Sequence, residues 1–509
     1  MTRGHPWHPL CVRSSHMDRL VRLHFWGNFD CIERYTIYFV GDGIYDVPHY
    51  LTQFIQIHYI KEKNMAVFKR PGVLFSLTWP IFVELILQML MGNIDQMMIS
   101  KYSQTAVAAV GNANQILNFL VLAFNVLCTA SIILITQYKG AKQEDKVEQI
   151  YSLSVIVNLV ISVAISLIIL LFNGVFFDLM SVPAEVLPEA KTYIILTGSF
   201  IFLQAMSMTF AALLRSNKFM KESMIANVVM NLLNIVGNVI LINGLGPIPA
   251  LGVAGVAIST TVSRLVGVSL MIFMFRKCVG KGINFKKLKP FPMDLFKKQL
   301  GIGLPSAGEN FAYSLSQVVI MGFINLFGTT TITVKVYVSM LAMITYILTS
   351  ALAQATQVMI GHMLGARQIE ETDKRVWKTV RASMLSSLVA STIIVLFSDF
   401  FFGLFSSDPE VLKMGKMVMM IDLVLEQGRA LNICFVRCLQ AAGDIKFPVM
   451  MGVISAWLVA VLFSYIFGVV CGLGLVGVWL AQATDEIFRG ICFIFRWRKG
   501  GWKQKNLVG

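Results

Sequence analysis

Apolar runs of about 20 residues, separated by short polar breaks, recur along almost the whole chain from residue 72 onward. A run of that length lets an α-helix cross the hydrocarbon core of a bilayer. The pattern predicts an all-α integral membrane protein with twelve spans, numbered here in chain order: about 72–100, 108–136, 150–172, 188–212, 222–243, 248–276, 299–326, 333–361, 379–403, 412–439, 447–470 and 472–495.

Composition agrees with this interpretation. The 509 residues are 56% hydrophobic and only 14% charged, whereas roughly a quarter of the residues of a soluble domain are charged. The mean hydropathy is +0.69. The eight cysteines form no CxxC pair and most lie in apolar runs. We therefore expect them to be packing residues, with no disulfide framework and no metal site.

The loops between the predicted spans alternate in charge. One set is basic and includes residues 139–146, 215–221, 276–298 and 367–378, while loops such as "NGVFFD" and "CGLGLVG" carry few or no basic residues. Basic loops stay on the cytoplasmic side of a membrane. The pattern predicts that both termini are cytoplasmic, and it explains the net charge of +15 without a nucleic-acid partner.

The two halves of the chain repeat each other. "WPIFVE" at 79–84 matches "LPSAGE" at 304–309, and "YKGAKQ" at 138–143 matches "MLGARQ" at 363–368, both at an offset of 225 residues. Six spans per repeat bring both copies in from the same side, so the expected symmetry is a pseudo-two-fold along the membrane normal. The predicted parts are an N-lobe at 65–276, an inter-lobe loop at 277–298, a C-lobe at 299–495 and a basic cytoplasmic tail at 496–509.

Residues 1–64 differ from the rest of the chain. They hold six of the seven histidines and lack an apolar run of 18 residues. We interpret them as an atypical N-terminal extension that is not part of the transport machinery, and we expect a chain that starts at Met65 to insert normally. A metal-binding histidine tail is the alternative.

Acidic residues inside the spans are costly, so each needs a reason. In span 1, Glu84 and Asp95 are eleven residues apart. Eleven steps of about 100° amount to three turns plus about 20°, so both carboxylates and Gln88 share one helix face. That face is predicted to look away from lipid.

Span 10 carries Asp422, Glu426 and Arg429 on one stripe. Arg429 can neutralise one of the acids, which leaves a carboxylate to bind a cation or proton. The alternative is a structural ion pair that clamps span 10 to its neighbour. Glu309 in span 7 is an unpaired acid that can also serve a cation or proton site, and its alternative interpretation is a hydrogen-bonded helix-packing residue near Pro305. We expect Asp485, Glu486 and Arg489 in span 12, and His362 in span 8, to be boundary residues near the cytoplasmic end.

Enzyme motifs are missing from the sequence. It has no GxxxxGK[ST], no HExxH and no glycine-rich dinucleotide fingerprint, which disfavours ATP-driven transport by this chain and an enzymatic activity.

Several stretches together resemble the MATE (multidrug and toxic compound extrusion) transporter family over about residues 68–495. They are "PIFVELILQMLMGNIDQMMIS", "TAVAAVGNANQI", "TQYKGAKQ", "GLPSAGENFAYSLSQ", "GHMLGARQ", "CLQAAGDIKFP" and "LGLVGVWLAQATDEIFR". The resemblance implies twelve helices in two pseudo-symmetric six-helix lobes and export of organic cations coupled to an ion.

The resemblance also implies roles for single residues. Asp95 matches the family's span-1 aspartate, a cation or proton site. In one proton-coupled branch an acid follows in span 5 in the pattern N-x-x-x-D, where this chain has Asn234 and Asn238. Asn238, an uncharged amide, stands where that branch has its second acid. In the sodium-coupled branch the acids lie in spans 7 and 10, which correspond here to Glu309 with Asp422 or Glu426, although Glu309 follows its proline by four residues rather than about eight.

The resulting prediction is a secondary antiporter of the cell membrane that exports amphiphilic, often cationic, drugs or toxic compounds in exchange for Na⁺ or H⁺. The acidic cluster of the C-lobe favours Na⁺, which would bind at Glu309, Asp422 and Glu426. We expect a monomer without a cofactor. The main alternative is a flippase of lipid-linked saccharides from the same superfamily.

Overall fold

A computed structural model describes residues 72–244, 249–280, 283–505 and 507–508. The predicted extension at 1–64 lies outside the described residues, so its separation from the transporter stays a prediction. From residue 72 to residue 280, the described part of the N-terminal half contains seven helices: α1 (Val73–Ser100), α2 (Gln104–Gly140), α3 (Glu144–Leu179), α4 (Leu187–Gly198), α5 (Ile201–Ser216), α6 (Met220–Asn243) and α7 (Gly252–Val279).

The described residues from 283 onward contain seven further α-helices: α8 (Met293–Asn325), α9 (Thr329–Gly365), α10 (Ile369–Leu396), the short α11 (Ser398–Gly403), α12 (Pro409–Ala441), α13 (Lys446–Ser455) and α14 (Gly474–Arg498). π-helical turns at Ala456–Val461 and Ser464–Val470 extend α13. Short 3₁₀ turns at Phe285–Leu288 and Gly501–Gln504 lie in the inter-lobe loop and the tail.

These helices give twelve spans in the described part of the chain. α4 and α5 are bent by 45° at a short break and together make span 4, and α13 with its π-helical turns makes span 11. Eight spans are long and apolar enough by themselves, and the bent pair is a ninth. The other three, α8, α12 and α14, have 33, 33 and 25 residues. They carry the C-lobe acids, which lowers their hydropathy.

On the side away from the basic loops, most predicted span limits lie within four residues of the helix ends. The exceptions are α3, which runs to Leu179 rather than 172, and α10, which ends at Leu396 rather than 403. On the basic side several helices run further, because their last turns leave the apolar region and carry charges. We call this side the basic end of the bundle. Pro80 in α1 and Pro305 in α8 lie inside their helices, at equivalent positions of the sequence repeat.

The two lobes touch at the basic end. A Cβ built on Gly140 would collide with the carbonyl oxygen of His362 and lie 3.0 Å from the Cα of Gly365. Only residues without a side chain permit this approach of α2 to α9. Hydrogen bonds join the lobes at the same level, from Gln137 Nε2 to the Ala441 carbonyl at 2.5 Å and between His362 Nε2 and the Ser216 carbonyl at 2.9 Å.

The described hydrogen bonds between the lobes all lie in the half of the bundle at the basic end. Another example is the 2.9 Å bond from Gln299 Nε2 on α8 to Ser131 Oγ on α2. The prediction for His362 is therefore incomplete. It is near the end of α9 as expected, yet it is buried and contacts the opposite lobe, because α9 packs against α2 and α5 there.

Candidate functional site

The N-lobe holds Asp95 against two buried amides. α1 and α6 run parallel, and Asn238 Nδ2 donates to Asp95 Oδ1 at 2.6 Å. The same nitrogen reaches Asn234 Oδ1 at 3.4 Å, and Asn234 Nδ2 donates to Thr260 Oγ1 on α7 at 3.1 Å. Asp95 is half-buried, whereas Asn234 and Asn238 are buried. A carboxylate that receives an amide proton here retains acceptor capacity for a cation or a proton.

Arg264 on α7 is a member of this site that the sequence did not single out. It is half-buried and lies close enough to Asp95 to interact with it electrostatically. The sequence shows Arg264 as a basic residue in the middle of span 6, and that signal could have identified it.

Glu84 shares the Asp95 helix face, as expected from the eleven-residue spacing, but the two acids occupy separate places. Ser223 Oγ on α6 donates to Glu84 Oε2 at 3.3 Å, and Arg215 Nη1 lies 4.0 Å from Glu84 Oε1. Arg215 Nη1 also donates to Gln354 Oε1 of α9 in the other lobe, at 3.3 Å. Glu84 is thus part of the closure between the lobes. About 16 Å of helix separates it from Asp95.

The C-lobe holds a larger charged cluster between α12 and α14. Arg429 Nη1 pairs with Glu426 Oε1, and Arg429 Nε lies 3.6 Å from Glu486 Oε1. Arg489 Nη2 lies 3.1 Å from Glu486 Oε1 and 2.6 Å from Asp485 Oδ2. We call Asp422, Glu426, Arg429, Asp485, Glu486 and Arg489 the C-lobe cluster.

The position of the span-12 charges corrects the expectation that they lie at the membrane boundary. Asp485, Glu486 and Arg489 are buried and lie in the middle of α14. The reason is a close approach of two backbones: a Cβ on Gly428 would lie 2.7 Å from Ile487 N and 2.9 Å from Glu486 C. The i, i+4 pair of Asp485 and Arg489 on one face of a span was the available sequence signal.

The C-lobe cluster has more carboxylates than guanidiniums. Four acids face two arginines, so two negative charges are in excess if every acid is ionised. Asn432 Nδ2 satisfies Glu486 Oε2 at 2.6 Å, and Trp479 Nε1 donates to Asp422 Oδ1 at 3.1 Å. Asp422 Oδ2, Glu426 Oε2 and Asp485 Oδ1 are buried and accept no hydrogen bond from any described residue. These oxygens can bind a cation or a proton.

Glu309 stands apart from the C-lobe cluster. It is half-buried on α8, and its Oε1 would lie 2.5 Å from a Cβ built on Gly452 of α13. Glu309 makes no hydrogen bond or ion pair with another described residue, and it interacts electrostatically with Arg489 and Arg437. The described residues contain no group of three or more acidic, histidine or cysteine side chains placed to hold a metal ion. The structure therefore does not bring Glu309 together with Asp422 and Glu426.

Each of the two sequence repeats matches a known protein family. Residues 80–240 and 305–466 each match the family model of MatE, and the starts of the two matches are Pro80 and Pro305, the pair that the sequence repeat relates. Together they cover more than half of the chain. The chain is a member of the MatE family.

Relatives of this MatE protein extend over most of its length. The chain is 37% identical over 435 residues to an uncharacterized transporter, YisQ, of Bacillus subtilis, which covers 86% of this chain and 96% of YisQ. It is 24% identical to a probable multidrug resistance protein, NorM, of Thermotoga maritima, over 86% of this chain and 94% of that protein.

Solved structures show the same fold. A crystal structure of MATE in the bent conformation superposes with a TM-score of 0.79 at 21% identity, and covers 85% of this chain and 96% of that one. An outward-facing multidrug resistance MATE transporter gives a TM-score of 0.77 with the same coverage. As a member of the MatE family, the protein is a multi-pass membrane transporter and not an enzyme, and the solved structures show the twelve-helix, two-lobe fold that the sequence predicts.

Proposed function

We propose that this MatE protein is a secondary antiporter that exports amphiphilic, often cationic, small molecules and lets a cation in. Support comes from one intramembrane acidic site in each lobe, at Asp95 and at the C-lobe cluster, together with its similarity to proteins named for multidrug resistance. The closed basic end fits a transporter that alternates access between two sides of the membrane. With basic loops in the cytoplasm, the closed side faces the cytoplasm.

Protons suit the described acids better than Na⁺ does. A hard cation needs several oxygen ligands around it, and Glu309 lies apart from Asp422 and Glu426. A carboxylate without a hydrogen bond or an ion pair inside a membrane is expensive when ionised, and it becomes inexpensive when it binds a proton. The separation of Glu309 from Asp422 and Glu426 is the observation that favours protons, and it reverses the preference for Na⁺ that the sequence alone suggested.

The test uses proteoliposomes preloaded with a cationic fluorescent dye. A proton gradient is imposed without Na⁺, and a Na⁺ gradient is imposed separately at constant pH. We expect the proton gradient to drive dye movement. Asp95→Asn, Glu309→Gln and Glu426→Gln should each reduce it, while Glu410→Gln, an exposed acid on α12, should leave it unchanged. Transport driven only by Na⁺ would overturn the choice of protons.

A second candidate is the flipping of an anionic lipid-linked saccharide. The observation that favours it is the presence of two half-buried guanidiniums inside the lobes, Arg264 on α7 and Arg437 on α12. An anionic substrate would pair with them. In the same liposomes, faster transport of an anionic amphiphile than of the cationic dye, lost in Arg437→Gln, would favour flipping over cation export.

A further inference from the structure

A pocket of about 550 Å³ opens on the outside of the C-lobe, between α10, α12, α14 and the tail that follows α14. Its inner wall is apolar and its rim is basic. The apolar residues are Met384, Leu431 and Ile494, and the basic residues are Arg381, Arg498 and Lys503. None of these residues belongs to the acidic sites described above.

The pocket lies where the apolar surface of the protein ends. Along the exposed face of α10, the charged side chains stop at Arg381 and the exposed apolar ones begin at Leu385. Along α14, the exposed apolar side chains run up to Phe495 and are followed by the exposed Arg498. Arg381 and Arg498 thus mark the same level, which is the boundary between lipid tails and headgroups.

The positive charge of the rim is largely uncompensated. Arg381 makes no ion pair with any described residue, and the Arg498 guanidinium lies 5.4 Å from the centre of the Trp377 ring. The acid in the pocket, Asp373, already accepts a hydrogen bond from Trp497 Nε1 at 2.7 Å. The three basic side chains of the rim therefore face a single carboxylate, which already accepts one hydrogen bond.

Two aromatic rings, Trp377 and Trp497, also line the pocket. Trp497 and Trp502 are buried and stack with their ring centroids 4.1 Å apart. This stack fixes the start of the tail, and with it the position of Lys503, whose Nζ lies 5.8 Å from the Trp502 ring. Tryptophan is typical of the headgroup level of a membrane.

We propose that this pocket binds an anionic phospholipid, with the phosphate at Arg381, Arg498 and Lys503 and an acyl chain against Met384, Leu431 and Ile494. Guanidinium groups recognise phosphate oxygens in pairs, and basic pockets between spans at the cytoplasmic face bind anionic headgroups. The exposed Lys374 and Lys378 on α10 lead towards the pocket and would attract anionic lipid from the surrounding leaflet.

The experiment counts bound lipids by native mass spectrometry. The full chain is purified in neutral detergent and titrated with phosphatidylglycerol or phosphatidylcholine. We expect the wild type to retain phosphatidylglycerol, and Arg381→Gln with Arg498→Gln to weaken its retention by about tenfold or more, since each cation near an anionic surface contributes measurably. Arg381→Lys with Arg498→Lys should keep most of it.

The matched control changes two exposed bases at the same end of the bundle but outside the pocket, Arg276→Gln with Lys277→Gln at the end of α7. It should bind phosphatidylglycerol like the wild type. The proposal is overturned if the pocket variant, Arg381→Gln with Arg498→Gln, retains as much phosphatidylglycerol as this control. It is also overturned if the wild type retains phosphatidylcholine as well as phosphatidylglycerol. Inorganic phosphate should fail to displace the lipid. Displacement at the same concentration would reveal a site for a free anion instead.

Discussion

Gly140 and Gly365, which the sequence repeat relates to each other, face one another across the boundary between the lobes. A Cβ on Gly140 would lie 3.0 Å from the Cα of Gly365, and one on Gly365 would meet the Gln137 carbonyl oxygen. The pseudo-symmetry thus places two equivalent small residues at one contact. The closure of the basic end depends on the absence of both side chains.

Substitution of Gly140 by alanine should separate the lobes at the basic end. The added methyl group meets backbone atoms that have no room to move, and such overpacking costs about 1–3 kcal/mol. Spin labels at exposed positions of the two lobes, Lys221 and Glu370, should move apart in distance measurements. Gly111→Ala in the same helix is the control, because a Cβ there has no atom within 4 Å. An unchanged distance in Gly140→Ala would show that this contact does not hold the lobes together.

The Asp95 and Asn238 pair should behave as one unit in transport. Asn238→Ala removes the donor to Asp95, and a hydrogen bond to a charged group contributes about 1.5–3 kcal/mol. We expect initial rates of gradient-driven export to fall by about tenfold in Asn238→Ala and further in Asp95→Asn. The double variant should match Asp95→Asn, because the two residues act through one contact. Additive losses would mean that Asn238 acts independently of Asp95.

Gly428→Val should disrupt the C-lobe cluster without changing any of its charges. The side chain would push α14 away from α12 and lengthen the contacts of Arg429 and Asn432 with Glu486. We expect a loss of about 1–3 kcal/mol in thermal unfolding, together with reduced export. Gly308→Val on α8, whose Cβ would meet nothing within 4 Å, provides the comparison. If both variants lose the same stability in thermal unfolding, the close approach of α12 and α14 at Gly428 does not determine the geometry of the C-lobe cluster.

Asp444, in the loop between α12 and α13, should give a pH-dependent contribution to stability. Arg496 Nε lies 2.7 Å from its Oδ2 and Lys505 Nζ lies 2.5 Å from its Oδ1. The hydrogen bonds and charges of these two cations hold the pKa of Asp444 below its usual value, against the effect of burial. Because the folded-state pKa is the lower one, the stabilisation is present above the unfolded pKa of about 3.9 and is lost as the pH falls through the folded pKa.

The measurement for Asp444 compares thermal unfolding of the wild type and Asp444→Asn at pH 7 and at progressively lower pH. At pH 7 the variant should be less stable by about 1–2 kcal/mol, a value reduced by the partial exposure of both cations. The difference should shrink below about pH 4. A difference that stays constant with pH would assign the effect to packing rather than to charge.

The sequence by itself determined the parts of this protein that depend on distance along the chain. The number of spans follows from the apolar runs, and the 225-residue repeat follows from comparing the chain with itself. The shared face of Glu84 and Asp95 follows from helix periodicity, and both side chains do meet α6. These properties are local, so the tertiary structure only had to preserve them.

Only the tertiary structure decided which charges meet. Helix periodicity fixes the face on which Arg429 lies, but not that Glu486, 57 residues further on, comes within 3.6 Å of it. That contact depends on Gly428, which lets two backbones approach, and Glu309 was left apart because α8 packs against α13 at Gly452 instead. The distance between two spans is set by the side chains between them, and that information lies in no single stretch of the sequence.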